Sequence, residues 1–253
     1  MSLQLSRKFL VAVFISAVTL NASGKDLSPA PTPHESIAPY WTVEPGWDTE
    51  LQIKNNMVAA SLTVTPVLRL NTGAEYPLDP VTIAPSDVTS IHVSDALSKK
   101  APDLVNQVGA YGSVVFRYVS SNVRNLYAVA MIHMTGQPIG FHIDAYAAAT
   151  GWEVGSREGI WWLPRETAKD FLIVTNESDK PVPVRLSVFD AQGAESKNPL
   201  MLAPGQTQRF VVRDLLRQAG LQGTYGGIKI DAAAKAGSID TVHFSYDETV
   251  GFA

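Results

Sequence analysis

The chain is written twice. Leu51, Ile53 and Asn55 recur as Leu172, Val174 and Asn176; Gly73-Ala74-Glu75 recurs as Gly193-Ala194-Glu195; Ala84-Pro85 recurs as Ala203-Pro204. Tyr111-Gly112 answers Tyr225-Gly226, and Gly140-Phe141 answers Gly251-Phe252. The spacing between the copies shrinks along the chain, so residues are missing between the matched segments of the second copy, where surface loops tolerate deletion. A repeat of this length in 253 residues divides the chain into two modest domains rather than one large one.

The matched segments read as strands. Val182, Val184, Leu186 and Val188 alternate with Pro183, Arg185, Ser187 and Phe189, which puts the first set on a core and the second outside. Asp190-Ala191-Gln192-Gly193 then places a glycine where a hairpin loop needs positive φ. Glu75 to Ile83 is broken by Pro77 and Pro80 and belongs at a sheet edge. Asp95 and Asp214 stand before Ala96-Leu97 and Leu215-Leu216 and read as caps of one short helix in each copy. Many short strands with turn signals between them indicate a sandwich rather than alternating βαβ units. The expected fold is all-β, with two tandem β-sandwich modules, each carrying one short helix. Module 1 spans 40–149, a linker 150–159, and module 2 160–253, the last incomplete relative to module 1. In module 1 Gly140-Phe141 leads into a further alternating strand, His142 to Tyr146; in module 2 only Ala253 follows Phe252. An open edge there would let module 2 self-associate.

The first residues have the pattern of an export signal. Arg7 and Lys8 precede an apolar run from Phe9 to Leu20, too short to span a bilayer comfortably, and Ala22-Ser23-Gly24 supplies the small residues of a cleavage site. Residues 1–24 are read as a signal peptide and 25–39, with four prolines, as an extended spacer. The product would be secreted or periplasmic, with no stable membrane span after cleavage. A net charge of −4 offers no basic footprint for nucleic acid. The absence of cysteine excludes lipid attachment through a terminal thiol, disulfides, thiolate zinc sites and a cysteine nucleophile.

Two groups of residues carry candidate chemistry. His142 and Asp144 share one side of a strand, and His133 lies on the strand before it; two imidazoles and a carboxylate are the ligands of an open zinc site. The aromatic residues Tyr40, Trp41, Trp47, Trp152, Trp161 and Trp162 gather at the module starts and the linker. Tyr40-Trp41 and Trp161-Trp162 recur, as expected if one ring of each pair plugs its own core. Trp47 and Trp152 do not recur and are the candidates for a ligand-stacking ring or a contact between modules. Asn176-Glu177-Ser178 spells a glycosylation sequon. No G-x-S-x-G elbow and no glycine-rich phosphate loop occurs.

The segments TELQIKNN (Thr49 to Asn56), YGSVVFRY (Tyr111 to Tyr118) and GIWWLPRE (Gly159 to Glu166) together resemble a group of secreted bacterial proteins without an assigned activity. That resemblance covers about Tyr40 to Phe252. It implies export and a tandem β architecture, and it carries over no catalytic or binding residue. More loosely, each module resembles an immunoglobulin-type or jelly-roll sandwich without the paired cysteines of antibody domains. The reading that follows is an exported, non-enzymatic binding or structural protein with a protein or glycan partner and no cofactor. The alternative is a metal-dependent hydrolase using His133, His142 and Asp144.

Overall fold

The computed structural model describes residues 29–147, 155–232 and 238–251. It is an all-β protein with two short α-helices among the described residues. In chain order the first half contains β1 (Thr32–Thr42), β2 (Trp47–Asn55), β3 (Leu62–Leu70), β4 (Glu75–Pro77), β5 (Val81–Ile83), β6 (Val88–His92), α1 (Val93–Lys100), β7 (Tyr111–Ser120), β8 (Leu126–Met134), β9 (Gly140–Asp144) and β10 (Tyr146–Ala147). The second half contains β11 (Ser156–Trp162), β12 (Lys169–Asn176), β13 (Val182–Asp190), β14 (Glu195–Leu202), β15 (Thr207–Val211), α2 (Val212–Ala219), β16 (Tyr225–Ala232) and β17 (Ile239–Tyr246).

All strand pairing is antiparallel and stays within a half. Sheet A runs β10-β1-β7-β3-β4, with β5 also on β3, and sheet B runs β6-β2-β8-β9. Sheets A and B enclose one apolar core that includes Trp41, Leu51, Ile53, Leu68, Phe116 and Ile132. Sheet C runs β11-β16-β13-β14 and sheet D runs β15-β12-β17. These enclose a second core with Trp161, Leu172, Val174, Leu186, Val188 and Ile230. Leu186 is fully buried and Arg185 points outward to Asp231, as the alternation in β13 requires.

Two kinds of side-chain bond occur in both halves. The Trp41 indole donates to the carbonyls of Arg69 and Ser113 at 3.1 and 2.9 Å; the Trp161 indole donates to the carbonyl of Phe189 at 2.8 Å. The buried Asn55 amide donates to the carbonyls of Ala60, Ile83 and Ala84. The Asn176 amide does the same to Lys180, Leu202 and Ala203. Each asparagine thereby ties a strand end to two loops whose carbonyls would otherwise lack donors.

Two expectations are corrected. The stretch read as a spacer up to Pro39 is strand from Thr32 onward, paired with β7 from Thr32 to Ala38. Its prolines are tolerated because Pro33 stands near the strand end and Pro39 falls in the irregularity between Ala38 and Trp41. The aspartates Asp95 and Asp214 do not cap their helices: the caps are His92 and Val211, without side-chain bonds. Both aspartates sit inside the first turn, where a negative charge meets the positive end of the helix dipole.

Sheet D is covered on both sides. Leu172, Val174 and Asn176 face the second core, while Ile173, fully buried, joins the first. The Thr175 hydroxyl donates to the carbonyl of Pro39 at 2.9 Å, and the Thr207 amide donates to the carbonyl of Asn71 at 3.3 Å. The two halves are therefore joined by packing sheet D against the outer face of sheet A.

Candidate binding face

The joint between the halves is built from side chains of both. From β1 and its turn come Tyr40, Thr42 and Glu44; from β2 and β9 come Trp47 and Phe141; from sheet D come Phe171, Arg209, Phe244 and Tyr246. Phe141 stacks on Phe244 at 4.2 Å, Phe171 stacks on Phe244 at 5.4 Å, and Trp47 meets the edge of Tyr246 at 5.2 Å. Arg209 lies 4.5 Å over the Tyr111 ring and donates to both oxygens of the buried Glu44 carboxylate and to the Tyr40 hydroxyl. Burial pushes the Tyr40 phenol up to about 12, against the pull of Arg209. Burial works to lower the Arg209 guanidinium, but Glu44 and Tyr40 outweigh it and hold it above its ordinary value. The space left among these rings is about 20 Å3, room for one water and no larger ligand. Trp47 is thus half-buried at the joint. Its companion candidate, Trp152, lies outside the described residues.

The three candidate metal ligands stand on the outward face of sheet B. His133 pairs with Gly140, and His142 pairs with Met131, so the two imidazoles are diagonal neighbours. Asp144 is engaged elsewhere: the Tyr127 hydroxyl donates to it at 2.8 Å. Among the described residues, no three of His, Cys, Asp or Glu come together as a metal-sized group. The sequon at Asn176 is closed in the folded chain, because its amide is fully buried and holds three carbonyls.

A pair of carboxylates went unnoticed in the sequence. Glu177 is half-buried beyond the end of β12. Burial, with Asp240 nearby, raises its carboxyl to about 8, against the pull of Arg157 and Arg69. Asp240 itself is paired with Arg157. These residues are far apart in the chain and share no motif spacing, so nothing in the sequence could have joined them.

The outer face of sheet C carries several partly exposed aromatic and aliphatic side chains. Trp162 pairs with Tyr225, and Ile160 with Gly227, which in turn pairs with Phe189. Ile160 is 70% exposed, Tyr225 57% and Trp162 48%. Gly227 carries no side chain, so a shallow trough runs between Ile160 and the Phe189 ring, which lies 3.4 Å from where a Cβ would stand. Along the same strands the face turns charged: Glu158 and Asp231 flank Lys229, and Arg185 holds Asp231 at 2.7 Å. At the far edge, Pro183, Pro199 and Met201 line a further apolar hollow over β13 and β14. Of the repeated pair Trp161-Trp162, the one ring that fills the core is Trp161, and Trp162 stands outside. The strand period carried that signal, since neighbours on a strand face opposite ways. Compared with protein-family models and with curated proteins, the chain matches none of either.

Proposed function

We propose that the chain is an exported, non-enzymatic binding and structural protein that works through the outer face of sheet C. The observation that carries this reading is the strip of Ile160, Trp162 and Tyr225, 70%, 48% and 57% exposed on one antiparallel sheet. Solvent-facing apolar side chains gathered in one patch are costly to leave bare and mark contact surfaces. Rings on a sheet face suit either another protein's sheet or the apolar face of a sugar ring. Beside the strip, Lys229, Glu158, Asp231 and Arg185 supply a polar border that fixes orientation. Export, to the periplasm or beyond, is supported by the pattern of Arg7 to Gly24. The rigid joint between the halves would hold the face at a fixed distance and angle from β1.

The test is retention of the purified chain on immobilised cell-envelope material, polysaccharide and protein fractions separately, with Tyr225→Glu and Ile160→Glu as comparisons. Retention lost in both variants, with unchanged melting temperature, is the expected result. Retention untouched by both variants, or turnover of a hydrolase substrate that disappears in His142→Ala, would overturn the reading.

A further inference from the structure

Two comparable connections differ in length, and a hollow opens at the shorter one. Leu163 follows Trp161 by two residues, as Val43 follows Trp41. Each donates its backbone N–H to the carbonyl just before a later strand of its half: Val43 to Ala110 at 3.0 Å, before β7, and Leu163 to Thr224 at 2.7 Å, before β16. In the first half ten residues, 101–110, join α1 to β7. Among them Leu104 and Val105 pack against the first core, and the Asn106 amide donates to the Val43 carbonyl at 2.9 Å. In the second half five residues, 220–224, join α2 to β16. They set Leu221 against the second core. Beside it opens a hollow of about 500 Å3, lined by Leu163, Leu216 and Leu221 and by Arg213 and Arg217 of α2. That volume lies in the range that holds a small molecule.

The helices differ at the positions of those arginines. The second and sixth residues of the eight-residue helix are Ser94 and Ser98 in α1, and Arg213 and Arg217 in α2. Residues four apart on a helix share one face. Arg213 is set in place: its Nη2 donates to the carbonyls of Arg165 and Ala168 at 2.8 and 3.2 Å. Its Nη1 reaches the Glu166 carboxylate at 3.2 Å, on a side chain 96% exposed. Arg217 pairs with Asp214, three residues back, at 3.1 Å. Ion pairs this open to water hold weakly, so a better-placed acceptor displaces them at little cost. Beneath the arginines Leu163 and Leu216 are buried, which gives the hollow an apolar floor.

We propose that this hollow binds a small monocarboxylate with an apolar body. Arg213 and Arg217 grip the carboxylate, and the body covers Leu163, Leu216 and Leu221. A guanidinium presents two parallel N–H groups that match the two oxygens of a carboxylate. One that is already held in place loses little freedom on binding. Charge selects the head group: Glu166 and Asp214 stand beside the arginines, so the second negative charge of a phosphate meets repulsion from them. The leucines select the body, since apolar surface that leaves water adds to affinity. The site uses none of the side chains on the outer face of sheet C.

The test is an amide NMR titration of the full chain with hexanoate, with acetate and inorganic phosphate as comparison probes at fixed pH and ionic strength. The expected result is a saturable shift of the Gly220 to Gly223 amides with hexanoate, and binding at least about tenfold weaker for acetate and for phosphate. Arg217→Gln, a change at an exposed side chain, should weaken hexanoate at least about tenfold with an unchanged melting temperature. Arg217→Lys should recover only part of the loss, because an ammonium lacks the fork. Leu221→Ala should weaken hexanoate and leave acetate as it was. The absence of a saturable shift at these amides with hexanoate overturns the inference, as does hexanoate binding that Arg217→Gln leaves intact. Phosphate bound as tightly as hexanoate overturns it too, because the hollow would then select charge without using its floor.

Discussion

Asn55 and Asn176 each hold three backbone carbonyls with one side-chain amide that is shut away from water. Truncation strands those acceptors, so Asn176→Ala should cost about 1–3 kcal/mol or more in urea titration, and Asn176→Asp, which cannot donate, should not rescue it. Leu186→Ala should cost about 2–5 kcal/mol through lost transfer energy and a cavity, while Arg185→Ala, on the wet face of the same strand, should cost far less. Glu177 yields a prediction in pH. Its folded carboxyl titrates near 8 and its unfolded one near 4.3, so the fold binds a proton that the unfolded chain has released. The stability Glu177 contributes is full below about pH 4 and is lost as pH rises through about 8. Glu177→Gln should therefore raise the melting temperature at pH 9 relative to the parent chain, and do little at pH 4. Alternation alone made Leu186 legible in the sequence. Glu177 was not legible, because its shift comes from burial and then from Asp240, which only the assembled fold supplies.

At the scale of elements, the repeated Tyr-Gly pairs show why a glycine was kept. A Cβ at Gly226 would stand 2.1 Å from the Phe189 carbonyl and 2.7 Å from the Trp161 ring, and one at Gly112 would stand 1.8 Å from the Arg69 carbonyl. The strand passes so close because the indole lies across it. Gly226→Ala should leave little folded protein at 37 °C, and calorimetry of whatever remains should show the second core melting early. Strand and hairpin positions were legible from period and glycine; Gly193, at φ +84°, stands where the turn was expected. β1 was not, since Pro33 and Pro39 within it, with Pro29 and Pro31 just before it, disguise a strand whose neighbours tolerate them. β12 was legible as a strand but not as a two-sided one, because burial of Ile173 and Thr175 comes from the other half of the chain. The helices were found, but their aspartates were given the wrong job: the helices begin three residues earlier than capping by Asp95 and Asp214 would have them.

For the molecule as a whole, Arg209 is the cation that closes the joint. Arg209→Ala leaves Glu44 buried without its partner, and should destabilise by about 3 kcal/mol, the low end of what breaking a buried pair costs. A single calorimetric transition in the parent chain should widen or split in the variant as the halves begin to melt separately. The way the two cores meet was not readable, because the contact pairs unlike faces that no sequence alignment brings together. Sheet D serves as a wall of both cores, and synthesis proceeds from one end. The first half leaves the ribosome with Tyr40 and Tyr111 bare, and β17, the last strand of the wall, follows β10 by roughly 5 to 20 s at ordinary elongation rates. During that interval the nascent chain shows an adhesive face to everything around it. A fragment ending at Ala147 should therefore precipitate, in light scattering, at concentrations where the full chain does not.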